Sequence, residues 1–211
     1  MAQASSSAEE NEQDQAAQDQ SRDEPGLTGM IIRDLAIVFA ALSLWAAADT
    51  WYQVTGLWLA QLVSIGDAIL VGLLLAALAH EWGHYTGARV SGADTQRKSP
   101  KGLSLLRFEF IYENNDARQF HWMTYGGHIF HWSMLLILVI ALPLDGLGRI
   151  ALVSAVFGFI VFASVIEYNI VKDTWAGMDP RTRLDQLTKK DFQQSMAIGA
   201  LGGLFAFAAL A

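Results

Sequence analysis

The sequence predicts an all-α polytopic membrane protein with about five transmembrane helices and a short cytoplasmic strand or hairpin between the second and third. Three observations carry that prediction. Of the 211 residues, 53% are hydrophobic, a high share for a soluble domain of this size. Five apolar runs each come near the roughly 20 residues that a helix needs to cross hydrocarbon. Lys and Arg gather in alternate connections between those runs, the charge bias of a multi-pass chain.

Residues 1–28 form an acidic tail. Seven Asp and Glu side chains face Arg22 alone over residues 1–26, and the remaining Ala, Gln and Ser have almost nothing apolar to bury, so the tail is expected to be disordered. It lacks the basic start and apolar core of a secretory signal. The membrane-embedded domain is expected over 29–211. Its first span is 31–49. The segment Trp51 to Ile65, short and aromatic, reads as an interfacial helix or an extension of its neighbours. The second span is 66–88.

The connection 89–120 carries Arg89, Arg97, Lys98, Lys101, Arg107 and Arg118. Within it, Leu103 to Phe110 alternates partly in the manner of a surface strand, and such an edge could pair with an unwound substrate. Spans at 121–143 and 149–170 follow. A second basic connection, 171–193, carries Lys172, Arg181, Arg183, Lys189 and Lys190, and 194–211 is the last span. Both basic connections are expected in the cytoplasm, which puts the N-terminus there too, in a cell inner membrane. The chain has no cysteine, so disulfides, thiolate metal sites and a Cys nucleophile are excluded. Nothing in its charge pattern points to nucleic acid.

His80-Glu81-Trp82-Gly83-His84 ends the second span. On a helix, His80 and His84 share a face where two imidazoles can converge on one zinc ion, with Glu81 beside them as a candidate general base. Ionisable groups are expensive in an apolar span, which favours a ligand-binding role. The implied chemistry is metal-assisted amide hydrolysis within lipid. Gly72, Ala76, His80 and His84 form one strip of this helix, and Ala79, Gly83 and Gly87 the next. Small residues at that spacing admit a second helix closely enough to bring a third ligand. The other histidines, His121, His128 and His131, fall near the same membrane face and could line the site or supply another nitrogen. Trp122, Trp132 and Trp175 read as interface anchors.

The stretch Ala79 to His84, followed by Ala88-Arg89 and Gly92, resembles the site-2 protease family of intramembrane zinc metalloproteases. Gly126-Gly127-His128-Ile129-Phe130-His131 is similar to that family's Gly-Pro-x-x-Asn helix, with His at the Pro and Asn positions. Tyr168-Asn169 and then Met178-Asp179-Pro180 are similar to its Phe-Asn turn and Leu-Asp-Gly, with Pro in place of the last Gly. The resemblance runs over about 66–185 and implies a divergent member. It implies zinc held by His80, His84 and Asp179, with Glu81 as the catalytic base and His131 contacting substrate or a developing oxyanion. Asp173 and then Glu167 are the alternatives for the third ligand. A membrane-spanning protein segment, cut near the cytoplasmic face, is the implied substrate. Leu144-Asp145-Gly146 spells the third motif outright, but a full span of about 30 Å separates it from the histidines. Two other readings stay open: a membrane di-iron lipid oxygenase or desaturase, which also carries His-x-x-x-His boxes, and a noncatalytic protease-like partner protein.

Overall fold

A computed structural model describes residues 25–99 and 106–211. Five helices in it are long and apolar enough to cross a membrane. They are α1 (Leu27–Thr55), α2 (Trp58–Val90), α3 (Ala117–Ala141), α4 (Leu147–Trp175) and α6 (Lys189–Leu210), with a short α5 (Pro180–Asp185) between the last two. Strands β1 (Thr95–Arg97) and β2 (Phe108–Phe110) form an antiparallel pair between α2 and α3, with Gln96 opposite Glu109. The chain is thus an all-α polytopic membrane protein with one small hairpin. Large side chains such as Phe39, Leu70, Ile140 and Phe205 lie exposed on the outer helix faces, where lipid is the solvent that suits them. The expected disordered tail lies outside the described residues up to 24, as does the part of the expected strand at 103–105.

Local chemistry sets the boundaries. The helix α1 stops at Gly56, whose left-handed φ of 63° lets its N–H return to the Tyr52 carbonyl at 2.8 Å, an end that favours glycine. With Trp58 already starting α2, the segment 51–65 extends both neighbours. Asp116 opens α3 through a capping box: its side chain accepts from the Gln119 N–H, and the Gln119 side chain accepts from the Asp116 N–H, both at 2.8 Å. Thr188 and Asp191 repeat the device at α6.

Helix α2 is the centre of the bundle, packed against α1, α3 and α4, while α6 lies on α4. Its small residues make those approaches possible. A Cβ on Gly83 would overlap the Gly126 carbonyl oxygen of α3, one on Gly87 would overlap the Trp122 carbonyl oxygen, and one on Gly72 would stand 2.7 Å from the Leu152 carbonyl oxygen of α4. The strips expected to admit a second helix therefore admit two, α3 on one side and α4 on the other.

Polar bonds mark the two ends. At the end carrying the hairpin, Trp82 Nε1 donates to the buried Asp34 of α1 at 2.9 Å, and Arg97 donates to the Pro25 carbonyl at 3.0 Å. His121 Nε2 sits 2.9 Å from Thr174 Oγ1 with its ring stacked on Trp175. At the opposite end, the buried Asp49 of α1 accepts from Gln53, from Ser64 of α2 at 3.1 Å and from Arg149 of α4 at 3.1 Å. Arg149 also pairs with Asp145 at 2.5 Å. Ser64→Ala removes one donor to a buried carboxylate, so unfolding in detergent should become easier by roughly 1.5–3 kcal/mol; an unchanged thermal midpoint would contradict this account of the knot.

Candidate metal centre

His80 and His84 sit one turn apart on α2, ten and six residues before its last residue, Val90. At 1.5 Å per residue, His80 is about 15 Å inside the helix end. A third group reaching it from a neighbouring helix must lie at a similar depth. Glu167, eight residues before the end of α4, does so. His80 Nε2 and His84 Nε2 are 3.0 Å apart, and Glu167 Oε1 stands 2.8 Å from the first and 3.3 Å from the second. Three potential ligand atoms thus close a small triangle. Among the described residues, His80, His84 and Glu167 form the group of ligand atoms all within 4.8 Å of one another that could hold a metal ion.

The surroundings of His84 fit a cation at that point, whereas His80 Nδ1, which carries the ring hydrogen when Nε2 faces a metal, is buried without a hydrogen-bond partner. His84 Nδ1 lies 2.9 Å from the Met123 carbonyl oxygen; a carbonyl can only accept, so the ring hydrogen is on Nδ1 and the Nε2 lone pair turns toward the triangle. A buried lone pair and a carboxylate oxygen pointed at each other repel unless a proton or a metal cation lies between them. Gly127 makes room for this arrangement. A Cβ there would stand 2.6 Å from His84 Cε1 and 2.9 Å from His80 Nδ1, so any larger residue would displace the ligand rings.

The third ligand is a correction to the sequence reading. Asp179 does not approach the histidines: it caps α5, accepting from the Thr182 N–H at 2.8 Å and the Thr182 hydroxyl at 2.9 Å. Those bonds, the backbone one foremost, hold its carboxyl below its usual pKa. Asp173 is engaged with Arg183 at 2.6 Å. Both lie at or beyond the end of the bundle, whereas the histidines are recessed within it. Asp145, set aside on grounds of distance, is at the opposite end with Arg149.

His131, expected to contact substrate, lies inside the histidine cluster. Its side chain is fully buried at 0% exposure and stacks on His80 with ring centres 5.1 Å apart and 7° between planes. It packs against the His80 ring, inside the bundle. Its Nε2 lies 3.2 Å from His128 Nδ1, and His128 Nε2 lies 3.0 Å from the other oxygen of Glu167. Four of the five histidines therefore cluster, and His121 stands apart with Thr174 and Trp175.

Glu81 follows His80 and lines a hollow of about 390 Å³ with Leu106, Arg107 and Phe108. A second hollow of about 570 Å³ along the hairpin shares Arg107 and Phe108 as walls and adds Lys98, Ser99, Glu109, Phe110 and Tyr112. Burial pushes the Tyr112 phenol up to about 12, so it stays a neutral donor near pH 7. Compared with known proteins, the chain finds no significant match among family models, curated proteins or solved structures.

The signal that could have selected Glu167 is its setting. It is the one carboxylate within the apolar run 149–170, two turns inside the end of α4, and such residues are functional by default. Ranking the candidates by depth rather than by motif spelling would have put it first.

Proposed function

We propose that this protein is an intramembrane zinc endopeptidase of the site-2 type, cutting a membrane-spanning substrate near the cytoplasmic face. The observation that carries the reading is the convergence of His80, His84 and Glu167, with Glu81 beside them at the wall of a hollow that runs to the hairpin. Ligand atoms about 2.0–2.1 Å from a tetrahedral zinc stand roughly 3.3 Å from one another, close to the 2.8, 3.0 and 3.3 Å edges of the triangle. Two imidazoles and one carboxylate form a donor set that suits zinc and leaves a fourth position for catalysis.

Bound zinc would supply a Lewis acid and an acidified water. Glu81 then takes a proton on its carboxylate and returns it to the leaving amine, the task of a general base that becomes a general acid. A substrate helix hides its amides in internal hydrogen bonds, so it must unwind before cleavage. Either strand of a two-stranded sheet is an edge able to replace those lost bonds, and β2 leads along the shared walls of the two hollows toward Glu81. In this reading the hairpin end of the bundle, with the N-terminus, faces the cytoplasm from a cell inner membrane, and the clustering of Lys and Arg in the connections at that end supports the orientation. A single three-ligand group among the described residues favours one metal ion over the two of a lipid oxygenase.

Glu81→Gln tests the assignment, because it preserves shape and removes the base. Purified in detergent, the variant should retain zinc while cleavage of membrane peptides falls by roughly 100- to 10,000-fold. Turnover equal to wild type would exclude Glu81 as the base, and two irons per chain would replace hydrolysis with oxidation. Absence of cleavage in a wild type that binds zinc would leave a protease-like partner protein.

A further inference from the structure

We propose that His128 is the positioning residue of the metal centre: it holds one oxygen of Glu167 so that the other faces the two ligand nitrogens, and His131 braces it from behind. The inference rests on reading His80, His84 and Glu167 as metal ligands. It assigns a role to two histidines which that reading leaves unused.

A carboxylate can bind a metal through one oxygen or both, and its partners decide which. Glu167 Oε1 faces the ligand nitrogens at 2.8 and 3.3 Å, while Oε2 lies 3.0 Å from His128 Nε2. Oε2 is buried and has no aligned hydrogen-bond donor as the ring stands. Leaving a buried acceptor unpaired costs about 1–3 kcal/mol, more when it is charged, and a modest turn of the His128 ring supplies the bond. His128 is outside the ligand group itself. It acts on the metal through Glu167.

The hydrogen positions agree along the chain. To donate to Oε2, a neutral His128 ring carries its hydrogen on Nε2, so Nδ1 must accept. The atom 3.2 Å from that Nδ1 is His131 Nε2, which therefore carries the hydrogen of its own ring. His131 Nδ1 is then a bare acceptor. It is buried with no hydrogen-bond partner, so this is the tautomer that buries no N–H without an acceptor. Stacking on His80 keeps the His131 ring from swinging away. With Oε2 held by His128, Glu167 takes one position at the metal rather than two, and the freed position is available to water or substrate.

Outer partners of this kind typically change metal affinity by roughly 10- to 100-fold. The test is zinc affinity of the full-length protein in detergent, measured by competition with a chromophoric chelator. His128→Ala should lower affinity within that range, and His128→Gln, which keeps a side-chain N–H donor, should restore most of it. The double variant His128→Ala with Glu167→Ala should bind no more weakly than Glu167→Ala alone, since a residue acting through Glu167 has nothing left to position. Additive losses would make His128 a ligand in its own right and overturn the proposal, as would unchanged affinity in His128→Ala or an equal loss in His128→Gln. A wild type that takes up no zinc sinks the metal reading itself; zinc binding with any of those other results sinks only the role of His128.

Discussion

Glu167→Ala is expected to release the metal and abolish cleavage, while Asp179→Ala leaves both unchanged. Zinc sites with a full ligand set bind with about 10–16 kcal/mol, which over four ligands is roughly 2.5–4 kcal/mol for each, or about 60- to 700-fold in affinity. Removing Glu167 takes away the one anionic ligand and leaves two neutral imidazoles 3.0 Å apart, which bind too weakly to keep zinc through gel filtration but still give an affinity that competition with a weak chelator reads. Asp179 caps a six-residue helix at the rim of the bundle, so its loss should do no more than fray that short helix. Zinc quantification after gel filtration separates the two. Retention of metal by Glu167→Ala together with its loss from Asp179→Ala would restore the ligand set implied by the family resemblance and refute the one drawn from the geometry.

A methyl group added at Gly83 should be nearly as damaging, though it touches no ligand. The new Cβ would overlap the Gly126 carbonyl oxygen and stand 2.7 Å from its carbonyl carbon and 2.8 Å from Gly127 Cα. All three are backbone atoms, so no side-chain rotation relieves the clash and α2 must separate from α3. Overpacking of this sort destabilises by about 1–3 kcal/mol, and a shift of about 1 Å at a catalytic centre lowers rate by roughly 100-fold. Because Gly127 rests against the rings of His84 and His80, separation also loosens the ligands. Gly66→Ala, in the same helix with nothing within 4 Å of the new Cβ, is the control: it should keep activity and gain up to about 1 kcal/mol of helix stability. Equal effects at the two glycines would show that close approach of α2 and α3 does not matter to the site.

The amino-acid pattern alone determined the five spans, because each apolar run is long enough to require a helix in lipid, and it determined the His80–His84 pair, because helical geometry is local. The small-residue strips were readable for the same reason: their spacing is a property of one helix. Which carboxylate meets the histidines was hinted at by the apolar setting of Glu167 but decided by tertiary structure, since it depends on how deep α4 sits against α2, where Gly72 packs against the Leu152 backbone. Motif spelling pointed to Asp179, at the rim; packing brought Glu167, from within the span. The same holds for the setting of His131, buried because the stacking of α3 against α2 turns it toward His80, a side-chain direction that no one-dimensional pattern contains.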